Sequence, residues 1–171
     1  MDTKLIDRLA GVVGKANVLQ TPEDLAVYSY DGSFAEGGPE VVVLPATTDE
    51  VSQVVMLAAE ARVPIVPRGM GSGLAAGSVP MTGGIVLSLT RMNHILEIDT
   101  ANATVRAEAG VVTADLQAEV EKQGFFYPPD PSSIRHSTIG GNVACNAGGP
   151  RRTCSTPRTH GWRSPTGSPR P

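Results

Sequence analysis

Leu5, Ile6, Leu9, Val12 and Val13 recur at helical spacing, and the pattern predicts a short amphipathic helix over residues 3–14. "TPEDL" (21–25) starts a second helix, with Pro22 near its first position and acids in its first turn. "YDGSFAEGGPE" (30–40) is polar and glycine-rich and reads as a loop. Beyond it "VVVLP" (41–45) is a short buried strand. "TTDEVSQVVMLAAEARV" (47–63) is a capped helix with Val51, Val54, Val55, Leu57 and Ala58 on one side, and "PIVP" (64–67) is a second strand. Together they predict a strand–helix–strand unit with parallel strands and a right-handed crossover.

The stretches "GGIVLSLT" (83–90), "HILEID" (94–99) and "TVRAEAG" (104–110) alternate like strands and are separated by turn formers. "VTADLQAEVEKQG" (112–124) is a helix that Gly124 stops. "YPPDPSS" (127–133) is irregular, because its prolines forbid helix and ladder alike. The Gly/Ala/Asn-rich "STIGGNVACNAGG" (137–149) accommodates a short helix near 140–146. The expected class is α+β with a mixed sheet.

Aromatics make up only 4% of the 171 residues, so Val, Leu, Ile and Ala must form the core. The net charge of −3 conceals an asymmetry. Residues 151–171 hold five of the 14 basic residues and none of the 17 acids, which leaves residues 1–150 at −8. Cys145 and Cys154 form neither a disulfide framework nor a metal set, so a reducing compartment fits and no metal is expected. Acids interrupt the apolar runs at the N-terminus, and no run reaches the about 18 residues a spanning helix needs. The expectation is a cytoplasmic protein without a membrane span.

The segment "PRGMGSGL" (67–74) places alternating glycines directly after a strand, which suits close backbone approach to a phosphate. A P-loop would need a lysine at the loop's end, and there is none between Lys15 and Lys122. Gly71, Gly73 and Ala76 fit the dinucleotide pattern G-x-G-x-x-A, with Glu97 or Asp99 downstream, so an NAD-binding Rossmann fragment is one alternative. That reading demands a helix after the loop, where Gly77, Pro80, Gly83 and Gly84 would break it.

This glycine loop, then "YPPDPSS", then "STIGGNVACNAGGPR", in that order and spacing, resembles the FAD-binding domain of the vanillyl-alcohol-oxidase-type flavoproteins. Within them it is most similar to the FAD-linked subunit of glycolate oxidase and to D-lactate dehydrogenases. The resemblance implies a two-subdomain FAD-binding domain: a small βαβ subdomain and the start of a mixed-sheet subdomain. Residues 1–37 would be a helical lead, and 38–150 part of the FAD domain. It implies cofactor contacts from Arg68, Gly69, Met70, Gly71, Ser72, Gly73 and Leu74, from Pro129, Asp130 and Ser132, and from Thr138, Gly140, Gly141, Asn142, Ala144 and Asn146.

Two roles stand open for Arg68, a phosphate clamp or an outward-facing charge. Asn142 and Asn146, four apart, either offer amide hydrogen bonds from one helix face or serve as caps. Asp130 either caps a turn or acts as a base, His94 reads as a solvated or core residue rather than a catalyst, and His136 either approaches the flavin or is an exposed loop residue. Relatives that tether the flavin use a histidine in the first loop. Met70, Gly71 and Ser72 stand there in this chain, so the resemblance implies non-covalent FAD, with Cys145 a small buried residue. It further implies hydride transfer from a small 2-hydroxy acid to flavin N5, and other oxidase subunits as partners, with no nucleic acid. No catalytic base is assigned.

The remaining basic tail "RRTCSTPRTHGWRSPTGSPRP" (151–171) has no Val, Ile, Leu, Met or Ala and is expected to be disordered. Its composition fits an out-of-frame or truncated continuation, which would leave this chain inactive alone. The alternative is a basic arm of a non-enzymatic, nucleic-acid-binding module.

Overall fold

In the computed structural model, which describes residues 1–150, Asp2 caps the first helix by accepting a 3.1 Å hydrogen bond from the Lys4 amide. This helix, α1 (Thr3–Val13), buries Leu5, Leu9 and Val13 at i, i+4 and i+8. A short strand, β1 (Val18–Leu19), and the six-residue helix α2 (Pro22–Val27) follow. Next come β2 (Val41–Val43) and α3 (Thr48–Ala61). Thr47 caps α3 by accepting from the Glu50 amide, while Glu50 reaches back to the Ala46 amide at 2.7 Å. The buried face of α3 is Val54 and Ala58, flanked by half-buried Val51 and Leu57. Val55, expected on that face, is 44% exposed, because it lies one position round from the Val51–Val54–Ala58 stripe.

β3 (Ile65–Arg68) and β4 (Ile85–Ser88) complete a four-stranded sheet of order β1-β2-β4-β3. β2 and β3 are parallel, as expected, but do not touch. β4 lies between them and pairs in parallel with both, Val42 and Val66 facing Val86. The segment 83–90 thus joins the first sheet rather than the strands that follow it. The side chains explain the order: β4 is buried at every position, as a central strand must be. Pro67 in β3 cannot donate to a ladder and belongs on an edge. β1 pairs antiparallel with β2 at the opposite edge. Two residues are too few to leave a periodic signal, and the sequence reading missed it.

The hairpin β5 (Ile95–Asp99) and β6 (Thr104–Ala107) forms a separate two-stranded sheet with an irregularity between Ile95 and Glu97. Helices α4 (Thr113–Lys122) and α5 (Ile139–Cys145) close the described chain. The main core joins α1, α3 and the sheet through Leu9, Val41, Val43, Val54 and Ile85, all without exposed area. The expectations for the arginine-rich segment 151–171 lie outside the described residues.

Candidate functional site

The glycine loop leaves the carboxyl end of β3 and returns as β4 without forming a helix. The Rossmann alternative therefore fails on its own requirement, since no helix N-terminus follows the glycines. Gly71, at φ +70, takes a left-handed conformation that disfavours any side chain. Gly71, Ser72 and Gly73 are half-buried, whereas Met70 and Leu74 are exposed. Among the described residues, no protein acceptor is found for the backbone N–H groups of Met70, Gly71, Ser72, Gly73, Leu74 and Ala75. These six consecutive amides, without a protein acceptor among the described residues, are open to an anion or to solvent.

The three motifs form a connected chain of contacts. A Cβ on Gly69 would collide with the Thr138 side chain, so the glycine loop rests directly on the start of α5. Thr138 caps α5, its Oγ1 accepting from the Gly141 amide at 3.3 Å. Gly140 lies against Ala109, its amide donating to Ala109 O at 2.8 Å. Past the end of α5, Gly148 O accepts from the Asp130 amide at 3.0 Å, and Gly149 lies tight against the Asp130 carbonyl. Gln117 holds the same proline segment through Tyr127 O and Pro129 O, at 3.2 and 2.9 Å. Burial there pushes the Tyr127 phenol up to about 12. Pro129 and Asp130 are half-buried, while Ser132, Gly141 and Ala144 are exposed.

Several expectations change. Arg68 faces inward rather than outward: its guanidinium donates to Tyr30 O at 2.6 Å and lies 5.5 Å from the centre of the Tyr28 ring. Burial lowers its pKa, opposed by the negative charge of Asp31. Asn142 and Asn146 do not share a face. Asn142 is buried and donates to Thr113 Oγ1 at 2.6 Å, whereas Asn146 terminates α5 in a left-handed conformation, φ 52. Cys145 is exposed rather than buried: it is the last residue of this two-turn helix, beyond the turn that buries Asn142. His94 is exposed and bonded to Glu108 at 2.8 Å, and His136 is exposed.

Asp31 also shapes the site and was not singled out from the sequence. Burial would raise its pKa, but hydrogen bonds from Ser33 and Ser78 more than offset this and hold it below the usual aspartate value. The available signal was the D-G-S run, since Asp31 Oδ1 accepts from the Ser33 amide two residues on, at 2.8 Å. Among the described residues no three His, Cys, Asp or Glu side chains gather where they could hold a metal, and no helix is long and apolar enough to cross a membrane.

Residues 39–157 match the FAD binding domain family. The chain belongs to that family. This FAD-binding domain is 46% identical over 146 residues to the glycolate oxidase subunit GlcD of Bacillus subtilis, covering 85% of the chain and 31% of the relative. It is 44% identical over 131 residues to the D-lactate dehydrogenase of Anaerostipes hadrus, covering 77% and 26%. The chain thus spans between a quarter and a third of the length of these relatives. The solved alkyldihydroxyacetonephosphate synthase shares the fold, at a TM-score of 0.77 and 23% identity over 84% of this chain and 29% of that one. The α+β FAD-binding fold implied by the resemblance is thereby shown, and FAD is the cofactor of this domain.

Proposed function

We propose that the FAD-binding domain takes its cofactor non-covalently along the line of contacts from the glycine loop through α5 to the proline segment. The observation that carries this is the run of amides from Met70 to Ala75, unclaimed by any protein acceptor among the described residues. They would meet the pyrophosphate, with Ser72 adding a hydroxyl. Small and exposed groups at Gly141 and Ala144 leave space for a flat ring beside α5. Thr138 and Asn142 contribute by fixing α5 rather than by direct contact, because their side chains are buried in bonds to Gly141 and Thr113.

The likeness to a glycolate oxidase subunit and a D-lactate dehydrogenase supports an oxidoreductase acting on a small 2-hydroxy acid in the intact protein. When bound, FAD supplies the acceptor for the hydride leaving the carbinol carbon. The described residues bind and orient it, and none is assigned as the base that takes the hydroxyl proton.

Titration of the full chain with FAD, followed by flavin fluorescence, tests the reading. Saturable binding that ADP competes for and riboflavin does not is expected, because the phosphates carry the contact. Absence of saturation, or equal competition by riboflavin, would overturn it.

A further inference from the structure

The glycine loop does not stand alone: residues 27–38 are folded against it. Gly32 lies against the carbonyls of Ser72 and Gly73, and the Gly38 amide donates to Pro80 O at 3.2 Å. At the junction sits the buried guanidinium of Arg68. Nη1 donates to Tyr30 O at 2.6 Å and, at a longer 3.4 Å, to Ser78 O, while Nη2 reaches Val27 O at 3.5 Å. Two of these carbonyls belong to the N-terminal segment, and one belongs to the glycine loop itself. On the loop side, a methyl on Gly71 would overlap the guanidinium, so the backbone at φ +70 is seated directly on it. Asp31 spans the same seam by accepting from Ser78 Oγ at 3.2 Å as well as from Ser33.

We infer that Arg68 is a positioning residue: it shapes the glycine loop by joining it to residues 27–31 through main-chain carbonyls, and it does not touch the cofactor. The inference rests on the reading of that loop as the cofactor's phosphate site. A planar fork with donors on two sides can address the Tyr30 and Ser78 carbonyls together under a glycine. A lysine ammonium is a compact point charge on a flexible stem and cannot hold that geometry. The segment 27–33 is on this view a working part of the site.

Hydrogen exchange on the full chain without ligand tests the clamp, and FAD titration tests its consequence. In Arg68→Lys the amides of Gly38 and Val79 exchange at least ~10-fold faster, while those of β4 keep the wild-type rate, the mark of a local opening. Asp31→Asn gives the same pattern with a smaller rise, and it decides the matter should Arg68→Lys also loosen β4. Exchange at Gly38 and Val79 within about twofold of wild type, in the variant that decides, overturns the inference.

In the titration, Arg68→Lys and Arg68→Met both weaken FAD binding by roughly 10-fold and leave its salt dependence unchanged. Affinity restored by lysine, or a salt dependence that falls only in Arg68→Met, would mark direct phosphate contact and overturn it. If the wild-type chain binds no FAD, the cofactor reading fails, and the exchange measurement still decides the clamp.

Discussion

In the half of the molecule built on β1–β4, α1 and α3, the interior is a continuous set of aliphatic side chains, with Leu9, Val41, Val43, Val54 and Ile85 wholly shielded. In the half built on the β5–β6 hairpin, α4 and α5, buried aliphatics are few, chiefly Val111, Leu116 and Val120. There the buried set includes Thr113, Ser137, Thr138 and Asn142, linked to one another by hydrogen bonds. A fully buried aliphatic side chain contributes about 1.5–3 kcal/mol. A hydrogen bond contributes a net of about 0.5–1.5 kcal/mol, and more is lost when one partner is removed. The first half therefore supplies rigidity, and the second supplies a surface of small residues held in place by direction. The candidate cofactor line runs along the boundary, where Gly69 meets Thr138.

The comparison can be broken most severely in the apolar half. Ile85→Ala, in the central strand, is expected to cost about 2–5 kcal/mol in urea unfolding and to loosen the whole described fold. Gly69→Ala attacks the boundary. Forcing a methyl against Thr138 is expected to cost about 1–3 kcal/mol, read mainly as weakened FAD binding, with β4 exchange little changed. Asn142→Ala removes the bond to Thr113 and is also expected to cost about 1–3 kcal/mol. Its accelerated exchange should be confined to α4 and α5; equal acceleration in β2 and β4 would show that the two halves open as one. Thr47→Ala, which removes the α3 cap, is expected to cost about 1 kcal/mol.

The smallest effect is a pH dependence at Asp31. Its folded pKa is depressed, so its contribution is fully present above the unfolded value of about 3.9 and is lost as pH falls through the lower folded one. Protection of the Gly38 amide should fall in that acid range, and Asp31→Asn should remove the dependence.

The helices and most strands were legible because each carries its own period. Leu5–Leu9–Val13 and Val54–Ala58 repeat on one helical face, and "IVLS" reads as a buried strand. Sheet order was not legible locally, since which strand lies between β2 and β3 depends on edges and prolines compared across the chain. The glycine loop was legible from its spacing, and its break with the helix-borne dinucleotide pattern from Gly77, Pro80, Gly83 and Gly84. The direction of Arg68 was not, because its partners Tyr30 and Val27 lie 38 and 41 residues away and offer main-chain carbonyls, which every residue carries. The same holds for Asn142, whose partner Thr113 is 29 residues upstream.

β4 also constrains how the chain can assemble. β2 and β3 each draw their parallel partner from residues 85–88 and none from each other. During synthesis from the N-terminus, β2 has only the two residues of β1 to pair with and β3 has no strand partner until the chain has passed Ser88, with the whole glycine loop already made. The loop is in this sense made before the sheet is complete, and β4 joins β3 to the β1–β2 pair in one step. A break or permutation placed between Gly69 and Gly84 would release the central strand from its neighbour and turn one cooperative closure into an encounter between two separate pieces.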